Sequence, residues 1–156
     1  MARILIADDD SDIRHLLVYS LVDEGHEVSM AKDGLATMDA LDPVLPDLLI
    51  LDVMMPGKDG FEVLEELNAR GARDTTRVLM LTAKGSDRDF ERGLRLGADA
   101  YMTKPFDPDE IVRTVRDLLA LTNEELRQRR DHELDKTRIL SQLESIFGET
   151  EGQGER

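Results

Sequence analysis

The chain contains no cysteine and no tryptophan, and only 4% of its 156 residues are aromatic. Without cysteine there is no disulfide framework and no thiolate metal site. No apolar run approaches the roughly 20 residues that a bilayer-spanning helix needs, and the short apolar run near the N-terminus is too brief for a signal peptide. These absences set the expectation of a cytoplasmic protein with no membrane contact. Positive charge is also scarce: 20 Lys and Arg stand against 34 Asp and Glu, a formal net charge of -14. Phosphate backbones need a basic face, so this balance argues against a generic nucleic-acid surface. Its plain reading is solubility. The length suits one domain with a sizeable core and a modest appendage.

What is present alternates. Short apolar runs at 3–7, 26–31, 48–51, 78–81 and 100–103 are separated by stretches with helical spacing at 12–24, 34–41, 61–70 and 87–96, and a further helix starts near Pro108. Asp10 or Ser11 is placed to cap the first helix, and Gly25, Gly71 and Gly97 stand where helices should stop. Five strands alternating with helices predict an α/β fold, a doubly wound parallel sheet covered on both faces with right-handed crossovers.

Sites in such sheets lie beyond the carboxyl ends of the strands. Four of the runs end there in residues able to do chemistry. The first leads into Asp8, Asp9 and Asp10, the third into Asp52 and a Pro-Gly turn, the fourth into Thr82, and the fifth into Lys104-Pro105. Singly, each has a plainer reading as a turn former, a cap near Gly85 or an exposed lysine. Together they bring carboxylates, a hydroxyl and an amine to one edge. Clustered carboxylates stay ionised only beside a cation, and an all-oxygen site suits a hard ion such as Mg²⁺. With an amine and a hydroxyl added, the set fits phosphoryl transfer, with a carboxylate as nucleophile.

The segments Ile-Leu-Ile-Ala-Asp-Asp-Asp at 4–10, Leu-Ile-Leu-Asp-Val-Met-Met-Pro-Gly-Lys-Asp-Gly at 49–60, Leu-Met-Leu-Thr-Ala-Lys at 79–84 and Gly-Ala-Asp-Ala-Tyr-Met-Thr-Lys-Pro-Phe at 97–106 resemble the receiver domain of bacterial two-component response regulators. The resemblance covers roughly residues 2–121. It implies a flavodoxin-like sheet of order 2-1-3-4-5. It implies Asp52 as phosphoacceptor, and Mg²⁺ held by Asp9, Asp52 and the Met54 carbonyl, with Asp8 acting through water. Thr82 and Lys104 would hold the phosphoryl group, Thr82 and Tyr101 would form a switch pair, and Lys104-Pro105 would be a cis peptide. The donor would be a phosphohistidine on a histidine kinase or phosphotransfer protein. The chain would then be a phosphoprotein switch in a phosphorelay and not a turnover enzyme. His15, His26 and His132 read as surface residues and not as donors.

Two positions depart from the best-known receivers. Met54 and Lys84 offer no carboxylate or amide to orient water against an acyl phosphate, so the resemblance implies slow hydrolysis. Phe90, Ala100 and Thr114 stand where the winged-helix transcription-factor subfamily places the charges of its dimer face. Longer regulators of the cyclase or kinase kind, with this chain as their N-terminal receiver, are the alternative. A haloacid-dehalogenase-type phosphatase is remote, because the run from Asp52 lacks the Asp-X-Asp-X-Thr pattern.

Residues 109–147 hold neither Gly nor Pro. If the fifth helix simply continues, it runs about 40 residues, or roughly 60 Å. A heptad-like stripe through Val112, Val115, Leu119, Thr122, Leu126, Arg129, Glu133, Lys136, Leu140, Leu143 and Phe147 is apolar at its ends and polar in its middle. The expected organisation is therefore a receiver over 1–121, a helical extension over 122–147 and a disordered tail over 148–156. The extension is either a solvated helix or a weak contact with a second copy or a downstream target. Nine acidic and six basic residues after Leu121, with no helix-turn-helix pattern, speak against DNA binding.

Overall fold

The computed structural model describes residues 1–83 and 87–154 of the chain. The order of elements is β1 (Arg3–Ala7), α1 (Ser11–Asp23), β2 (Glu27–Ala31), α2 (Gly34–Leu41), β3 (Leu48–Asp52), α3 (Gly60–Ala69), a 3-10 turn (Ala72–Asp74), β4 (Arg77–Ala83), α4 (Asp87–Arg95), β5 (Ala100–Lys104), α5 (Pro108–Ala120) and α6 (Asn123–Gly154). All strand pairs are parallel and the sheet order is β2-β1-β3-β4-β5. This is the predicted topology, and its register aligns Ala7 with Leu51 and Thr82 with Thr103.

The two faces of the sheet build two cores, as a period of two residues along each strand requires. Leu5, Leu49, Leu51, Val78 and Met80 pack with Leu41, Leu64 and Leu67 of α2 and α3. Ile4, Ile6, Leu48, Ile50, Leu79 and Leu81 pack on the other face with Leu17 and Leu21 of α1 and Ile111, Val115 and Leu118 of α5. Fully burying one such side chain contributes about 1.5–3 kcal/mol. Every residue of β3 is buried, so the strand that carries Asp52 is the most rigidly placed. Asp10, Asp33, Asp59 and Asp107 cap α1, α2, α3 and α5 at their N-termini, and Asp59 forms a capping box with Glu62.

The C-terminal third departs from the continuous helix that the sequence suggests. Leu121 is extended, with φ -77° and ψ 140°, and ends α5. The Thr122 hydroxyl accepts from the Glu125 N–H at 3.1 Å, and its carbonyl accepts from Leu126 N–H at 3.0 Å, which starts α6 afresh. Arg77 of β4 donates to the carbonyls of Leu118 at 2.7 Å and Leu121 at 2.5 Å, satisfying the orphan end of α5. Thr122 and Glu125 form the Thr-x-x-Glu start signal; the lack of Gly or Pro at this point concealed the break. Of the tail expected over 148–156, α6 extends through Gly154, and residues 155–156 lie outside the described residues. No described helix is long and apolar enough to cross a membrane.

Candidate functional site: an acid pocket at the carboxyl edge of the sheet

β1, β3, β4 and β5 deliver their last residues to one edge. Asp8, Asp9 and Asp52 offer carboxylate oxygens that all lie within 4.8 Å of one another. Asp8 and Asp52 are buried, whereas Asp9 is exposed at the mouth. Lys104 reaches in from the end of β5, with Nζ 2.8 Å from Asp8 Oδ2 and 3.3 Å from Asp52 Oδ2. Asp8 Oδ1 accepts from the Asp10 N–H at 2.9 Å. Asp8 Oδ2 has no hydrogen bond of good geometry and, among the described residues, is balanced by the Lys104 ammonium.

Among the described residues, one ammonium stands among three carboxylates, which leaves the pocket short of positive charge. Burial first, and then the negative charge of Asp8, push the Asp52 carboxyl up to about 7. Lys104 opposes that rise without cancelling it. Burial works against the Lys104 ammonium too, but Asp8 and Asp52 outweigh it and raise its pKa. A second cation would relieve the mismatch.

The remaining predicted residues occupy the rim. Met54, 68% exposed, lies on the loop after β3, and its N–H donates to Asp52 Oδ1 at 3.3 Å. Thr82 is buried and donates its hydroxyl to the Ala83 carbonyl at 2.9 Å. The half-buried Tyr101 hydroxyl lies near enough to Thr82 to feel its dipole, yet makes no hydrogen bond. Burial raises its pKa. The Lys104–Pro105 peptide is cis. Lys84, expected beside the site, and Gly85 lie outside the described residues. His15 and His132 are exposed, and His26 accepts from the Ala2 N–H at 3.3 Å, away from the pocket.

Two supporting residues escaped the sequence reading. Arg14 of α1 donates to the Asp8 carbonyl at 2.7 Å; nothing in its local pattern sets it apart from a surface arginine. Gly60 lies so close to β3 that a Cβ there would stand 2.3 Å from the Asp52 carbonyl oxygen. Its N–H donates to the Val53 carbonyl at 2.9 Å. The Lys-Asp-Gly run at 58–60 signalled a turn but not this close approach.

Residues 4–116 match the response regulator receiver domain. The chain belongs to that family. It is 43% identical over 123 residues to the response regulator MprA of Mycobacterium tuberculosis, covering 79% of this chain and 53% of MprA. It is 45% identical over 119 residues to the transcriptional regulatory protein CpxR of Escherichia coli, covering 76% of this chain and 50% of CpxR. The chain thus spans about half the length of the curated relatives it matches. Among solved structures it resembles the response regulator TrrA of Thermotoga maritima in complex with Mg²⁺ and beryllofluoride. That likeness has a TM-score of 0.67 and 35% identity, over 76% of this chain and 99% of TrrA. A two-component receiver is therefore what the acid pocket serves.

Proposed function

We propose that Asp52 accepts a phosphoryl group from a phosphohistidine of a histidine kinase or phosphotransfer protein, and that the acyl phosphate alters protein contacts. The observation that carries this reading is the convergence of Asp8, Asp9, Asp52 and Lys104 from three strands on one under-neutralised pocket. An Asp52 carboxylate oxygen attacks phosphorus, an O–P bond forms, the N–P bond breaks, and the donor imidazole leaves. Lys104 is placed to hold the phosphoryl oxygens electrostatically, and Thr82 to donate to them after turning from the Ala83 carbonyl. Tyr101 would follow Thr82 as the other half of the switch. The chain would act as a switch in a cytoplasmic phosphorelay and not as a turnover enzyme.

Mg²⁺ fits the pocket. The donors are all oxygen, they converge, and Asp8 Oδ2 is buried with Lys104 alone among the described residues to balance it. Asp8, Asp9, Asp52 and the Met54 carbonyl would hold the ion, which neutralises charge on the incoming phosphate when bound. The solved TrrA complex, with Mg²⁺ and beryllofluoride, supports the same reading.

Acetyl phosphate with Mg²⁺ should add one phosphoryl mass to the wild-type chain and none to Asp52→Asn, as intact-mass analysis would show. Stoichiometric labelling of the variant would overturn the assignment.

A further inference from the structure

After the break at Leu121, α6 folds back onto the face formed by α4 and β5. Leu126 on its first turn is buried in the same core as Leu118, against which Ala100 and Met102 of β5 also pack. One turn on, Arg130 grips Asp99, the residue just before β5. Its Nε donates to Oδ1 at 2.5 Å and its Nη2 to Oδ2 at 2.8 Å, and its Nη1 donates to the Arg73 carbonyl at 3.3 Å. The Asp99 side chain is 1% exposed and that of Arg130 14%. A two-toothed, desolvated guanidinium–carboxylate pair is far stronger than a solvent-exposed pair.

Beside this grip lies a cavity of about 240 Å³ between α4 and α6, lined by Phe90, Leu94, Tyr101, Leu126 and Arg129 among others. Tyr101 forms part of its wall. The ring lies in a notch on α4: a Cβ at Gly93 would stand 2.8 Å from Tyr101 Cε2. Phe90 meets the ring edge-on at 5.3 Å. The buried hydroxyl faces inward toward Thr82 with no hydrogen bond to hold it there. The ring therefore has two places to go, the Gly93 notch or the cavity under α6.

We propose that the α4–β5 face is a helix-binding surface whose resident occupant is the chain's own α6, latched by Arg130 on Asp99 and coupled to the Asp52 site through Tyr101. A helix with a leucine followed four residues later by an arginine is what this face accepts, and any other partner helix has to displace Leu126 and Arg130 first. The coupling rests on the phosphoacceptor reading; the latch does not.

Hydrogen exchange on the full chain tests both. Amides at 126–133 should be protected to the same degree at low and high protein concentration. Arg130→Ala should speed their exchange at least about tenfold, which corresponds to losing about 1.4 kcal/mol of local stability, and Arg130→Lys, which keeps charge but not the fork, should fall between. Beryllofluoride with Mg²⁺ should change exchange at 126–133 in the wild type. By thermodynamic reciprocity, Arg130→Ala should shift the beryllofluoride midpoint by the same factor. Unchanged exchange in Arg130→Ala would overturn the latch. Protection that grows with concentration would place a second copy's α6 on the face and overturn the intramolecular cover. Beryllofluoride that protects amides around Asp52 but leaves both 126–133 and the midpoint unmoved would overturn the coupling. Beryllofluoride that leaves the Asp52 amides unmoved would overturn the phosphoacceptor reading and the coupling with it, while the latch stands or falls on Arg130→Ala.

Discussion

Two buried charge clusters sit at opposite ends of one sheet, and they are balanced in opposite ways. At the carboxyl edge, three carboxylates share one ammonium among the described residues, and the Asp52 carboxyl is driven up to about 7. At the amino edge, one carboxylate takes two guanidiniums. Asp99 accepts from Arg130 at 2.5 and 2.8 Å, from Arg73 at 2.9 Å and from the Val78 N–H at 2.8 Å. Burial, with the charge of Arg130 added, lowers Arg73 to about 10, which still leaves it a cation at neutral pH. The Asp99 cluster is saturated with donors and has nothing left to bind. The Asp52 cluster is short of cations and stays strained until one arrives. Burial alone therefore does not mark a functional site; unbalanced burial does.

The sharpest way to break this contrast is to remove the carboxylate from each cluster. Asp99→Ala leaves Arg73 and Arg130 buried without a carboxylate to balance them and should destabilise the fold by about 3–5 kcal/mol in urea unfolding. A loss under about 1 kcal/mol would show that water already screens this pair.

Asp52→Asn should move stability the other way. The folded chain keeps a proton on Asp52 that the unfolded chain gives up as pH rises from about 4 to about 7. The unfolded state binds fewer protons in that window, so wild-type stability falls as pH rises through it. The variant escapes that loss. It should be more stable than wild type by about 4 kcal/mol above pH 7 without metal, and the gap should close below about pH 4. A constant gap across this range would mean that Asp52 does not titrate there.

A smaller effect separates neighbouring acids. Asp9→Ala should weaken Mg²⁺ binding, measured by calorimetry, because Asp9 contributes to the carboxylate cluster. Asp10→Ala should leave Mg²⁺ affinity close to wild type and instead lose about 1 kcal/mol of stability, because Asp10 caps α1 through the N–H groups of Asp12 and Ile13. Equal Mg²⁺ affinity in the two variants would remove Asp9 from the ligand set. In the wild type, Mg²⁺ at a hundredfold excess over its Kd should raise stability by about 2.7 kcal/mol.

The smallest effect concerns the exposed rim. Met54→Asn places an amide beside the pocket mouth and should speed loss of the Asp52 phosphate several-fold in a mass-spectrometric time course. An unchanged lifetime would mean that Met54 does not limit the approach of water.

The strands, the Asp10 cap and the acid pocket were legible in the sequence because each is set by short-range chemistry. Apolar runs form buried strands, Asp10 meets free N–H groups at the start of α1, and a parallel sheet must present all its strand ends at one edge. Topology alone gathers Asp8, Asp9, Asp52, Thr82 and Lys104 at that edge. The sequence was misleading about the extension. A stretch with no Gly or Pro reads as one helix, yet the partners that turn it are distant in the chain: Arg77 on β4 holds the end of α5, and Asp99 before β5 holds Arg130 of α6. The polar middle of the heptad stripe looked like solvated surface for the same reason. Local propensity pointed to helix over residues 108–147. Only the tertiary structure decided where that helix breaks and what it covers, because buried ion pairs and backbone carbonyls recruit partners without regard to sequence distance.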